Sequence, residues 1–208
     1  MKVSSAHIKS FFILIVSIII LGCDNHSENL FVKIDSSTSN VNFNNQIIET
    51  DTLNILNEEY VFNGGGVAAA DYNNDGKTDL FFTGNQQPNR LYLNQGEFVF
   101  KDISESAKIL AQDKWSTGVT YVDINNDNLL DIYVCAAMYK ENRRNMLFIN
   151  KGVNPETGII SFEEKASEYG IDDSGNSMGA VFFDYNKDGF IDLFVLNNEQ
   201  SKTIPTNY

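Results

Sequence analysis

The stretch "DYNNDGKTD", residues 71–79, decides the fold class of this chain. It carries acidic or amide side chains at positions 1, 3, 5 and 9, and Gly76 at position 6. A hairpin needs only an Asn-Gly or Asp-Gly pair to turn, so the additional carboxylates repel one another unless a cation lies between them. The motif recurs as "DINNDNLLD" (123–131) and "DYNKDGFID" (184–192), which identifies an internal repeat.

The sequence around each motif repeats as well. A glycine stands five positions before each motif, an apolar segment follows it, and "NRLYLNQG" (89–96) is answered by "NMLFINKG" (145–152). Four short strands per unit, at a period of about 50 to 60 residues, are typical of β-propeller blades. We therefore predict an all-β chain that forms a partial β-propeller. Its two complete four-stranded blades would span about 64–112 and 113–175, and a truncated third blade 176–208.

Closure of a propeller takes roughly four to eight blades. Two complete blades and part of a third are therefore too few. We expect the chain to be the N-terminal fragment of a longer protein, whose remaining blades would be its partners. The alternative is assembly with other copies of the same chain.

The acidic loops are predicted to bind about three calcium ions. Alternation places the side chains at positions 1, 3 and 5 on one side of the loop, and the carbonyl at position 7 can add a further oxygen. Oxygen-only sets suit a hard cation with six to eight ligands, whereas zinc and copper prefer nitrogen or sulfur. The predicted ligands are Asp71, Asn73, Asp75, Lys77 and Asp79 in the first loop, Asp123, Asn125, Asp127, Leu129 and Asp131 in the second, and Asp184, Asn186, Asp188, Phe190 and Asp192 in the third.

Two other interpretations of the loops fit the sequence less well. An EF-hand needs a bidentate Glu at position 12, but this chain has Phe82, Val134 and Val195 there. Simple polar hairpin turns would not need the same Asp and Asn positions three times. In the second loop Asn128 replaces the glycine at position 6, and Asn tolerates a positive φ better than most residues.

The first 22 residues are predicted to be a signal peptide. Lys2 and Lys9 precede an apolar run of about eleven residues, which is short for a membrane span and suited to a signal-peptide core. The following "ILGC" resembles the lipobox of bacterial lipoproteins, which implies lipidation of Cys23. An ordinary signal peptide or an uncleaved anchor remains the alternative. Residues 23–45 would be a tether, and the repeat region would span 46–208. The stretch 41–66 would supply either a strand that helps to close the ring or a segment packed across a blade face.

The residues "GGGVAAADYNNDGKTDLFFTGN" and "WSTGVTYVDINND" resemble the FG-GAP/VCBS repeats of integrin α-like propellers. More narrowly, the chain is similar to bacterial VCBS-repeat lipoproteins that often carry a C-terminal ASPIC/UnbV domain, relatives of cartilage acidic protein. The resemblance covers about residues 30–208. It implies a seven-bladed or similar β-propeller, calcium in the blade loops and an extracytoplasmic location. We accordingly expect an outer-membrane lipoprotein of the bacterial cell envelope, facing the periplasm or the surface.

Composition narrows the function. The formal net charge of −13 argues against nucleic-acid binding. The two histidines, His7 and His26, lie in the predicted leader and tether, so histidine-based catalysis is not expected. We predict a non-enzymatic role in binding, adhesion or scaffolding, attached to the membrane and able to hold a glycan or protein ligand. A calcium-dependent polysaccharide lyase is the alternative.

Two further groups bear on ligand binding. The aromatic residues Tyr92, Phe98, Phe100, Phe148 and Phe162 are predicted to belong to the core rather than to a sugar platform. The loop that contains Lys140, Arg143 and Arg144 is predicted to be a solvated loop, and a contact with an acidic glycan or a partner is the alternative.

Overall fold

The computed structural model describes residues 30–138 and 142–198. The chain divides into two units, residues 1–33 and 34–208. Of the first unit only residues 30–33 are described, and they are irregular and exposed. The predicted signal peptide and Cys23 lie outside the described residues, as does Lys140. Within the described ranges, no helix has the length and apolar character that crossing a membrane requires.

The second unit consists of antiparallel strands in three sheets. The first sheet has the order β1-β2-β3-β4 and the second β5-β6-β7-β8, while β9 and β10 form a two-stranded sheet. The strands are β1 (Val67–Ala70), β2 (Asp79–Phe82), β3 (Arg90–Gly96), β4 (Val99–Asp102), β5 (Ser116–Val122), β6 (Asp131–Ala136), β7 (Met146–Val153), β8 (Ile160–Glu164), β9 (Ser177–Phe183) and β10 (Asp192–Asn197). Two single-turn helices are also present, α1 (Ser36–Ser39) and α2 (Ala166–Tyr169). The predicted partial propeller, with two four-stranded blades and a shorter third, is confirmed.

The sheets pack face to face through two apolar layers. The layer between the first two sheets contains Ala68, Ala70, Phe81 and Leu91 from the first, and Ile132, Val134, Met146 and Phe148 from the second. The opposite face of the second sheet contributes Tyr133, Cys135, Leu147 and Ile149, against Ala180, Phe182, Leu193 and Val195 of the third. Period-two alternation of side chains explains why β6 supplies residues to both layers and is buried along its whole length.

Glycine permits the first strands of neighbouring sheets to approach closely. A Cβ atom on Gly66 would lie 3.0 Å from the carbonyl oxygen of Thr117, and one on Gly118 would lie 2.6 Å from that of Met178. Real Cβ atoms rarely come so close to backbone, so any larger residue at Gly118 requires the strands to separate. The repeated glycine five positions before each motif is therefore a packing requirement in the first two sheets.

The hairpin between β3 and β4 corrects one prediction. Glu97 and Phe98 both have positive φ, 51° and 60°, as the two central residues of a tight hairpin do. This turn places Phe98 in solvent, 62 % exposed, so the prediction that Phe98 belongs to the core is wrong. The other four aromatic residues of that group are buried, as predicted.

Residues 41–63 contain no strand and pack across the first sheet and beside its ends. Phe43 stacks on Phe82 with ring centroids 5.3 Å apart. Asn45 and Asn85 exchange two hydrogen bonds: Asn45 Nδ2 donates to Asn85 Oδ1 (2.6 Å), and the backbone N–H of Asn85 donates to Asn45 Oδ1 (2.9 Å). Of the two predicted roles for this segment, packing across a blade is observed and a closing strand is not. The segment thereby covers Phe82 of β2 and contacts the loop that follows this strand.

Candidate metal-binding loops

The first acidic loop joins β1 to β2 and is ordered by its own side chains. The Asp71 carboxylate accepts the backbone N–H groups of Asp75 (3.1 Å) and Gly76 (2.7 Å) through its two oxygens. Asn73 Oδ1 also accepts the N–H of Asp75 (3.2 Å), and Asp75 Oδ1 accepts that of Lys77 (2.9 Å). The side chains at positions 1, 3 and 5 therefore all fold back over the same short stretch of backbone.

The second and third loops repeat these hydrogen bonds. Asp123 accepts the N–H groups of Asp127 (3.0 Å) and Asn128 (2.9 Å). Asp184 accepts those of Asp188 (3.1 Å) and Gly189 (2.9 Å). The amides at position 3 behave alike: Asn125 and Asn186 each accept the N–H at position 5 and donate to its carboxylate. One backbone conformation is thus encoded three times.

Position 6 of every loop has positive φ. The value is 82° at Gly76, 64° at Asn128 and 88° at Gly189, so the tolerance expected of Asn128 is observed. Position 4 is also left-handed, with φ of 56°, 57° and 63° at its three residues, two Asn and a Lys. The spacing of the oxygen-bearing residues did not predict this second left-handed position.

Position 9 has a structural role that sequence reasoning missed. Asp79 Oδ2 accepts the N–H of Tyr72 (3.0 Å), and its Oδ1 accepts the N–H of Asn94 in β3 (2.8 Å). Asp131 is 0 % exposed and does the same for Ile124 (3.1 Å) and Asn150 (2.8 Å). The predicted ligand at position 9 therefore also joins its loop to the third strand of its own sheet. Nothing in one loop alone signals this role, because the Asn lies 15 or 19 residues further along the chain.

Burial and hydrogen bonding act on these carboxylates in opposite directions. Burial raises the pKa of Asp79 and of Asp131, although two backbone N–H groups on each favour the ionised form. At the exposed position 5, the Lys77 side chain bonded to Asp75 lowers the pKa of that carboxyl, and the N–H of Phe190 lowers the pKa of Asp188.

In each loop the side chains at positions 1, 3 and 5 bond to the same short stretch of backbone. Within residues 30–138 and 142–198, however, no three Asp, Glu, His or Cys side chains converge closely enough to form a metal-binding cluster. In this conformation the carboxylates satisfy backbone N–H groups. Calcium ligation therefore remains a prediction.

Two asparagines frame the third strand in both complete sheets. At its start, Asn89 Oδ1 accepts the N–H of Gly84 (3.1 Å) and Asn145 Oδ1 accepts that of Ala136 (2.8 Å). Within the strand, Asn94 Nδ2 donates to the carbonyl of Thr78 (2.9 Å), and Asn150 Nδ2 donates to that of Leu130 (3.1 Å). The pattern Asn-x-Leu-x-x-Asn is thus a set of hydrogen-bonding positions that ties the third strand to the second.

The predicted cationic loop is largely paired. Arg144 forms an ion pair with Asp172 (2.6 Å), and Arg143 donates to Asn176 (3.2 Å). Arg144 also lines an open groove of about 800 Å³, together with Lys114 and three acidic residues, Asp113, Glu164 and Asp172. The Lys114 ammonium donates to Asn142 Oδ1 (2.7 Å) and to the Arg144 carbonyl (2.9 Å). The groove contains both positive and negative side chains, and the positive side chains already have hydrogen-bond or ion-pair partners. These charges do not favour an acidic glycan.

Comparison with known proteins identifies the repeats. The FG-GAP-like repeat family matches residues 55–134. Human cartilage acidic protein 1 is 33 % identical over 139 residues, which cover 65 % of this chain and 20 % of the human protein. The mouse protein is 32 % identical over the same length. A T-cell immunomodulatory protein homolog of Plasmodium yoelii yoelii is 28 % identical over 200 residues, 85 % of this chain and 27 % of the relative.

The chain thus spans about a fifth to a quarter of the length of these curated relatives. The matched region contains the first two acidic loops and the whole first sheet. Residues 55–134 therefore match FG-GAP-like repeats, and the chain is similar to cartilage acidic protein 1 over 139 residues.

Proposed function

We propose that the chain is a calcium-stabilised FG-GAP propeller module of a bacterial envelope lipoprotein, with a non-enzymatic role in binding, adhesion or scaffolding. The proposal of calcium binding rests on the three copies of the acidic loop. Three separate sequences adopt the same pattern of side-chain-to-backbone hydrogen bonds, including the one in which Asn128 stands for glycine.

The donor chemistry of each loop fits calcium. All available side-chain donors are carboxylate or amide oxygens, and Ca²⁺ takes six to eight oxygens in flexible geometry. Three aspartates within nine residues repel one another, and in the first loop Lys77 offsets one charge at 3.0 Å from Asp75. The second loop has no such lysine within its nine residues. A divalent cation would relieve this repulsion and hold the loop against the two strands that it joins.

Calcium titration by calorimetry tests this part. We expect about three calcium ions per chain, and a thermal transition that EDTA lowers and calcium restores. Asp127→Asn should reduce the number of bound ions by one, because it removes a charge while leaving an oxygen for the N–H of Leu129. Glu105→Gln, which removes one charge outside the loops, serves as the matched control. Absence of bound calcium together with an unchanged transition in EDTA would contradict the proposal.

The lipoprotein part is supported by the "ILGC" sequence at Cys23. We expect the chain expressed in a bacterial host to incorporate labelled palmitate and to partition into detergent, and Cys23→Ala to lose both properties. A Cys23→Ala variant that still partitions would point to an uncleaved anchor instead. Fractionation of inner and outer membranes, with protease accessibility on whole cells, distinguishes the periplasmic from the surface-facing location.

The binding role is supported by the similarity of the repeats to those of known proteins. Incubation with acidic and neutral polysaccharides, measuring both retention of the chain and release of shortened products, separates a binding module from a lyase. Retention without product is the expected result. Product release that a loop variant such as Asp127→Asn abolishes would instead support calcium-dependent catalysis.

A further inference from the structure

The sequence contains one asparagine–glycine pair, Asn63–Gly64, which lies at the end of the segment 41–63, just before β1. In such a pair the side-chain amide can react with the next backbone nitrogen, because glycine has no side chain to shield that nitrogen. The reaction requires a side-chain amide that is free to turn and a glycine N–H that no acceptor holds. The hydrogen bonds around a pair therefore decide whether it reacts in the folded chain.

Asn63 and Gly64 meet both requirements. Among residues 30–138 and 142–198, the Asn63 side chain has no hydrogen-bond partner, and the N–H of Gly64 donates to no acceptor. The chain is held on either side of the reacting groups instead. The backbone N–H of Asn63 donates to the Tyr60 carbonyl (3.0 Å), and the Gly64 carbonyl accepts a hydrogen bond from Asn85 Nδ2 (3.2 Å). Asn63 is exposed, so water reaches its side chain.

The backbone conformation favours glycine after Asn63. Gly64 has a φ of 79°, in the left-handed region that residues with a Cβ atom adopt rarely. A Cβ atom there would meet no atom within 4 Å, so the space beside this nitrogen is open. A larger residue that would shield the nitrogen is thus disfavoured by the turn, and no neighbouring group takes its place.

Two aspartate–glycine pairs in the acidic loops show the opposite arrangement. They are Asp75–Gly76 and Asp188–Gly189. The glycine N–H of the first pair donates to Asp71 Oδ2 (2.7 Å), and that of the second donates to Asp184 Oδ2 (2.9 Å). The carboxyl of the first pair is also held, because it accepts the N–H of Lys77 (2.9 Å). Attack by either glycine nitrogen would first have to break a hydrogen bond to a charged group.

We propose that Asn63 is a site of spontaneous deamidation through a succinimide formed with Gly64. The nitrogen of Gly64 gives up its proton to solvent and bonds to Cγ of Asn63, and the side-chain nitrogen leaves as ammonia. Water then opens the five-membered ring at either carbonyl. The products are aspartate and isoaspartate at position 63, and water is the only co-reactant. Isoaspartate carries the main chain through the former side chain, which inserts one carbon between the segment 41–63 and β1.

Peptide mapping by mass spectrometry of the full-length chain, incubated at mildly alkaline pH, measures conversion of the amide to the acid. The matched control is Asp75→Asn, which creates a second asparagine–glycine pair whose glycine N–H is held by Asp71, and circular dichroism verifies that this variant is folded. We expect position 63 to react at similar rates in the folded chain and in urea. Position 75 of the variant should react at least roughly tenfold more slowly when folded than in urea, as for a step that breaks a hydrogen bond to a charged group.

The products identify the route. Ring opening gives isoaspartate together with aspartate, whereas direct hydrolysis of the amide gives aspartate alone. Methyl transfer from S-adenosylmethionine by an isoaspartate-specific methyltransferase measures the isoaspartate. Asn63→Gln, whose longer side chain cannot form the five-membered ring, should lose this signal.

Three results would overturn the proposal: Asn63 that converts in urea but not in the folded chain, equal protection of positions 63 and 75 in the folded variant, or aspartate at position 63 without isoaspartate. All incubations contain EDTA, so none of these outcomes depends on calcium binding.

Discussion

Asn150 offers a direct measure of how strongly one sheet is tied to the next. Its side chain is 1 % exposed and makes three hydrogen bonds. Nδ2 donates to the carbonyls of Tyr72 (2.8 Å) and Leu130 (3.1 Å), and Oδ1 accepts the N–H of Gly152 (2.8 Å). The bond to Tyr72 crosses from the second sheet to the loop of the first. The repeat supplies a matched control in Asn94, whose side chain bonds only to Thr78 and Gly96 within its own sheet and is partly exposed.

The expected cost follows from counting these bonds. A typical intramolecular hydrogen bond contributes about 1 kcal/mol, and a buried group left without a partner costs about 1–3 kcal/mol. Asn150→Ala removes three bonds and leaves the carbonyl of the buried Tyr72 without its donor. We expect a loss of about 3–4 kcal/mol in the free energy of unfolding. Asn94→Ala removes two partly solvated bonds and should cost about 1–2 kcal/mol.

Urea denaturation followed by tryptophan fluorescence and by circular dichroism measures both variants at one fixed calcium concentration. Each variant keeps its backbone N–H, so the bond to Asp131 or Asp79 is unaffected and the difference reports on the side chain. A difference of about 2 kcal/mol corresponds to roughly 4–8 °C in the thermal midpoint for a domain of this size. If Asn94→Ala destabilises the chain as much as Asn150→Ala, the hydrogen bond between sheets does not contribute as argued.

Three further predictions concern packing and ionisation. Gly118→Ala should lower the free energy of unfolding by about 1–3 kcal/mol because its Cβ would lie 2.6 Å from the Met178 carbonyl oxygen. Gly179→Ala, with no atom within 4 Å of its Cβ, should change the thermal midpoint little, and equal shifts of the two midpoints would contradict the packing explanation. Burial raises the pKa of the Cys135 thiol to about 12, so in a Cys23→Ser chain at pH 8 a disulfide reagent should label it only as fast as the protein unfolds. Burial also raises the pKa of Tyr133 to about 12 from 10.0, so the folded state retains a proton that the unfolded chain loses, and the free energy of unfolding should fall as pH rises from about 10 toward 12. Denaturation of Tyr133→Phe across that range should show a weaker dependence on pH.

The sequence predicted the features that short-range spacing encodes. The three copies of the loop motif predicted where strands begin and end. In each copy, a turn with fixed left-handed positions separates two apolar segments. The tolerance of Asn128 was predictable for the same reason, since positive φ is a local property of one residue.

Features that depend on distant residues were not predictable. The second role of Asp79 requires a backbone donor from β3, and the contact of Asn150 with Tyr72 joins residues 78 positions apart. Phe98 shows the reverse error: it stands in an apolar stretch, but a two-residue turn with positive φ places it in solvent. The sequence did not decide between the two roles predicted for the segment 41–63. Its contacts include the Asn45–Asn85 hydrogen bonds and the stack of Phe43 on Phe82, and such contacts leave no periodic pattern in the sequence.

The glycine five positions before each motif shows that the packing role of a repeated residue depends on the neighbouring sheet. A Cβ on Gly66 would meet Thr117 and Val119 of β5, and one on Gly118 would meet Met178 and Gly179 of β9. A Cβ on Gly179 would meet no atom within 4 Å, and its φ is not in the left-handed region, so neither backbone nor local crowding requires glycine there. Phe194 and Leu196 of the same two-stranded sheet are more than half exposed, whereas the equivalent residues of the other two sheets are buried. The glycine at this position of the repeat is therefore a packing requirement only where a neighbouring sheet lies against it.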